Sequence, residues 1–85
     1  MKFEILASKV AEEFRETMSQ EGFDSFNEMA KCYWWSAEDI KEEVDEIIRS
    51  IDETACIDEV DGKSVILDGD EISYRKFATM WRKAI

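Results

Sequence analysis

The chain has 85 residues and a formal charge of −10, from 21 acids against 11 bases, with hydrophobic residues at 45% and aromatics at 12%. A chain this short makes one domain with a thin core; its apolar content excludes disorder, and the sign of its charge excludes a surface that tracks phosphates. With no Pro, three Gly and no His, it is expected to be mostly helical and to lack the usual partner for Cys–His catalysis or an ordinary zinc site.

Phe3, Leu6, Val10, Phe14 and Met18 recur at spacings of three and four with charged residues between them. This predicts an amphipathic helix over roughly residues 2–20, with Gly22 as its left-handed cap. Ser25 and Glu28 fit a capping box at the start of a second helix, whose apolar face is Phe26, Met29, Ala30 and Tyr33. Trp34 and Trp35 follow. Neighbours on a helix face about 100° apart, so both cannot enter one small core, and at least one is expected to be partly exposed or at an interface. Ser36 to Asp39 caps a third helix with Ile40, Val44, Ile47, Ile48 and Ile51 as its inward stripe.

Residues 52–71 change character. They carry Asp52, Glu53, Asp58, Glu59, Asp61, Asp68, Asp70 and Glu71, and two Asp-Gly pairs. Cys56–Val60 is expected to pair with Lys63–Leu67 across a two-residue turn at Asp61-Gly62. A last helix should run from its cap Ser73 to near Ile85, with Phe77, Met80, Trp81 and Ala84 on one face.

Cys32 and Cys56 form neither a CxxC pair nor a disulfide framework, which suits reduced thiols in the cytoplasm. The N-terminus has no signal-peptide core and no apolar run reaches membrane-spanning length. The expectation is a soluble, cytoplasmic protein. Nothing pairs a nucleophile with a base and no Gly-rich phosphate loop occurs, so an enzyme is not expected, nor a cofactor.

Two stretches carry a family resemblance. EEVDEIIRSID (42–52) is similar to the entering helix of the C-terminal EF-hand of calmodulin and calmodulin-like domains, and DGDEISYRKFATMWRKA (68–84) is similar to the second half of its loop and its exiting helix. Residues 1–35 match only in pattern, with Phe23 where the family's small β-bridge would sit. The resemblance implies an all-α, four-helix, degenerate EF-hand pair, a single lobe over residues 1–85, with a β-hairpin or extended insertion before the last helix.

Calcium chemistry does not come with it. With Ile72 at loop position 8, position 12 is Lys76, an ammonium where the loop needs a bidentate carboxylate. From Asp52 to Lys76 there are 25 residues against 12 in the family, and around residues 19–26 neither the acid spacing nor a closing Glu is present. No metal site is therefore assigned.

What the resemblance implies instead is the light-chain role: gripping a basic amphipathic helix of a larger protein, such as a myosin heavy-chain IQ motif, without calcium. The charge suits such a target, because residues 1–71 hold all 21 acids against seven bases. Phe14, Met18, Met29, Tyr33, Trp34, Trp35, Ile48, Met80 and Trp81 are the candidates to line the groove. Plain core is the competing role for each, since four such helices must bury much of that set to fold. Two other functions fit the charge: a calcium sensor with a divalent site rebuilt in the acidic insertion, and a small acidic inhibitor imitating nucleic acid. Direct nucleic-acid or membrane binding is not expected.

Overall fold

Every third or fourth residue of the first segment is apolar, and the chain winds that stripe into α1 (Lys2–Glu21), burying Phe3, Leu6, Ala7, Val10, Ala11, Phe14 and Met18. A computed structural model describes residues 2–85. After α1 come α2 (Phe26–Cys32), α3 (Ala37–Ile51), β1 (Cys56–Ile57), β2 (Ser64–Leu67), β3 (Asp70–Ser73) and α4 (Tyr74–Ala84). The architecture is four helices with a small three-stranded antiparallel sheet ordered β1-β2-β3. The expectation of an all-α chain with a β-hairpin or extended insertion before the last helix holds in part: helix dominates, and the insertion is a hairpin extended by a third strand into a small sheet.

Helix ends follow local chemistry. α1 stops in a Schellman motif, with Gly22 at φ 76° and the Phe23 N–H donating to the Met18 carbonyl at 2.9 Å. Phe23 lies outside any strand. Ser25 caps α2, its Oγ accepting from the Glu28 N–H, while Glu28 reaches back to the Asp24 N–H. Ser36 and Asp39 exchange hydrogen bonds at the start of α3, and Ser73 caps α4 by accepting from the Lys76 N–H.

The sheet differs from expectation in register and extent. Cys56 faces Ile66 and Ile57 faces Val65, one residue out of step with a two-residue turn at Asp61-Gly62. A longer connection, 58–63, is stitched by side chains: Asp58 accepts from the Val60 N–H and Asp61 from the Lys63 N–H, each at 2.8 Å. The two-residue turn comes one hairpin later. Leu67 faces Asp70 across Asp68 and Gly69, at φ 51° and 84°, which is the type I′ geometry that Asp-Gly favours. The Asp-Gly-Asp run is therefore a hairpin tip, and Ile72, four residues ahead of Lys76, pairs with Val65 of the inserted segment.

The core is shared by both parts. Ile40, Val44 and Ile48 of α3 meet Ala55, Ile57, Val65 and Leu67, while Phe14, Phe26 and Trp81 form an aromatic triangle with ring centroids 4.9–5.1 Å apart. Arg82 stacks over Phe26 and Trp81. Among the described residues no polar or charged residue is buried as a whole, and the buried Trp81 Nε1–H lies near the Tyr74 hydroxyl.

Candidate protein-interaction surface

α2 ends in a second Schellman motif. The Trp34 N–H donates to the Lys31 carbonyl at 3.1 Å and the Trp35 N–H to the Ala30 carbonyl at 2.9 Å. The left-handed residue that closes this motif is Trp34 itself, at φ 60°, where α1 uses Gly22. A left-handed non-glycine residue costs about 1–2 kcal/mol. This one gains nothing back by packing, because Trp34 is 90% exposed.

The same turn sorts its neighbours. Tyr33 stays 40% exposed, edge-on to Phe23 at 5.7 Å and tilted against Trp35 at 5.2 Å. Trp35 is half-buried and packs on Phe14 and Phe26, each at 6.4 Å. One tryptophan goes in and one goes out, sorted by the left-handed turn at Trp34 and not by helical spacing, because both lie beyond the end of α2. The Tyr33 hydroxyl has its pKa raised, first by burial and then by the Glu21 charge and Cys32.

One cleft reaches this turn, and a second lies further along α3. The first, of about 370 Å³, is walled by Glu13, Phe14 and Thr17 of α1, by Tyr33 and Trp35, and by Glu43 and Ile47 of α3. The second, about 560 Å³, runs between α3 and the β1 segment, lined by Lys41, Glu42, Glu43, Asp45, Glu46, Ile57, Asp58 and Glu59. Glu43 belongs to both. Its carboxyl pKa is raised, chiefly by burial and then by Glu46, Glu42 and Asp39, so the charged form is held against its environment.

The sequence-derived candidates separate into two groups. Phe14, Met18, Met29, Ile48 and Trp81 lie in the core, Met29, Ile48 and Trp81 with no exposure at all. Tyr33, Trp34, Trp35 and Met80 reach the surface to different degrees. Only Phe14, Tyr33 and Trp35 meet at one cleft. Glu13, Glu43 and Ile47 were not among the candidates, although Glu43 and Ile47 stand four apart on α3 and so share a face. That spacing was the available signal.

The acids of residues 52–71 mostly serve local structure. Asp52 accepts from the Thr54 N–H and hydroxyl, which lowers its pKa. Asp70 pairs with Lys2, and Glu59 with Arg49, which Asp45 also holds. Among the described residues no three acidic or thiol side chains converge as a metal site, and no helix is long and apolar enough to cross a membrane.

No protein-family model, curated protein or solved structure matches the chain.

Proposed function

We propose that this chain is an acidic interaction module that binds a basic amphipathic segment of another protein, without calcium, at the turn between α2 and α3. The observation that carries the reading is Trp34: a large apolar ring, 90% exposed, on a backbone that glycine would occupy without strain. Strain kept at an exposed aromatic is the pattern of a binding residue rather than a packing one. The surroundings favour a basic partner. Apart from Lys41 and Arg49, the charged residues on the exposed and half-exposed face of α3 are Glu38, Asp39, Glu42, Glu43, Asp45 and Glu46.

In its most specific form the proposal is the light-chain role, on a degenerate EF-hand pair, with an IQ-type helix as target. The helix order agrees with that form, whereas Ile72 pairs with Val65 of the inserted segment and not with Phe23. Burial of Met29, Ile48 and Trp81 gives it a condition: a target gripped between the helices must first open the lobe, whereas one docked on Trp34 and Trp35 need not.

Calorimetric titration of an IQ-type peptide, with calcium and again with chelator, tests the proposal. Equal micromolar binding in both supports it. Binding only with calcium favours a rebuilt divalent site, and no binding in either sets the proposal aside.

A further inference from the structure

Resting on that reading, we propose that the cleft between α1, Tyr33-Trp35 and α3 is a receptor for one cationic side chain, arginine or lysine, of the partner's basic segment. Three features of the cleft argue for it. Its lining is partly aromatic, with Trp35 packed on Phe14 at 6.4 Å and on Tyr33 at 5.2 Å, the kind of surface over which a cation is held. Its rim carries a carboxylate from each flanking helix, Glu13 and Glu43, and neither takes part in an ion pair among the described residues. Its volume of about 370 Å³ accommodates a butyl stem along Ile47 and Thr17 with the head group at the carboxylates.

Other occupants fit worse. A leucine or methionine of the partner would cover Glu43 and leave its charge desolvated and unpaired, a costly arrangement. A second copy of this chain would bring together two bodies of charge −10. A cation does the reverse: it relieves the half-buried Glu43, which burial and three neighbouring acids now oppose. Because Glu43 also lines the acidic groove beside β1, a basic segment could lie in that groove and turn one side chain into the cleft. The test is amide and indole NMR of the ¹⁵N-labelled chain, titrated at constant ionic strength with N-acetyl-arginine amide, N-acetyl-lysine amide and the neutral N-acetyl-norleucine amide. The expected result is a saturable shift of the Trp35 indole N–H and of the Thr17 and Ile47 amides with both cations and not with norleucine, the guanidinium binding more tightly through stacking. Glu13→Gln with Glu43→Gln should weaken it by about tenfold or more, with an unchanged Trp81 indole signal reporting an intact core. Equal shifts with norleucine, or undiminished cation shifts in the double variant, would overturn the inference. If the cations leave the cleft untouched while the IQ-type peptide still binds, this inference fails and the proposed function stands. If the cations bind and the peptide does not, the cleft is a cation receptor and the partner was misjudged.

Discussion

Replacing Trp34 by glycine should stabilise the fold and weaken the proposed recognition surface together. The left-handed backbone at φ 60° costs a non-glycine residue about 1–2 kcal/mol. Glycine's greater freedom in the unfolded chain takes back roughly 0.5–1 kcal/mol. Since the indole is 90% exposed, little packing is lost, and the net gain is about 0.5–1 kcal/mol. For a domain of this size that corresponds to a melting temperature higher by roughly 2–8 °C. Thermal denaturation followed by circular dichroism, alongside guanidinium unfolding, measures it. Binding of a basic peptide should fall at the same time by roughly thirtyfold, as for an interface tryptophan contributing about 2 kcal/mol. A melting point several degrees lower would refute the reasoning, because it would mean that the indole is packed and not merely displayed.

Gly69→Ala should lower stability by about 1 kcal/mol through backbone strain alone, since the added Cβ meets nothing within 4 Å; the melting point reads it. Ile48→Ala removes a side chain with no exposure and should cost 2–5 kcal/mol, about a third or more of a typical small domain's stability, as guanidinium unfolding would show. The Ser36 N–H bonds Asp39 and holds its carboxyl pKa below the ordinary 3.8. A lowered folded-state value adds stability that is complete above the unfolded pKa and lost as pH falls through the folded one. The stability gap between wild type and Asp39→Ala should therefore be present at neutral pH and close only in acid, below that ordinary value. Glu43 has the opposite sign: its raised pKa favours the protonated fold, so Glu43→Gln should be at least as stable as wild type at neutral pH, with any gain vanishing in acid.

Helices were legible because their signals are local. The apolar spacing from Phe3 to Met18 needs no tertiary information, and the Ser25, Ser36 and Ser73 caps were read directly from a hydroxyl followed by helix-forming residues. The sheet was half legible. Cys56–Ile57 and Ser64–Leu67 do pair, but between two Asp-Gly sequences the choice of the tight turn depends on which register buries Ile57, Val65 and Leu67 together, a non-local condition. β3 escaped notice because of its residues only Ile72 is even partly buried. Among the candidate site residues, periodicity marked Met29, Ile48 and Trp81 as apolar without distinguishing core from groove. The expectation that one of Trp34 and Trp35 is exposed holds, but through the left-handed turn at Trp34 and not through the helical spacing on which it rested. Spacing places Glu43 beside Ile47, but its meeting with Glu13 is illegible in the sequence, since the two approach only when α1 and α3 pack.

The central claim is that a basic segment docks on the outside of a closed lobe at Trp34 and Trp35. The most direct measurement is the NMR footprint of an IQ-type peptide on the ¹⁵N-labelled chain in the presence of chelator. The Trp34 and Trp35 indoles and the acid-bearing residues of α3 should shift, while Val44, Ile48 and the Trp81 indole stay in place. Large shifts throughout the core, with the Trp34 indole unmoved, would contradict it and would mean that the helices part to grip the target between them.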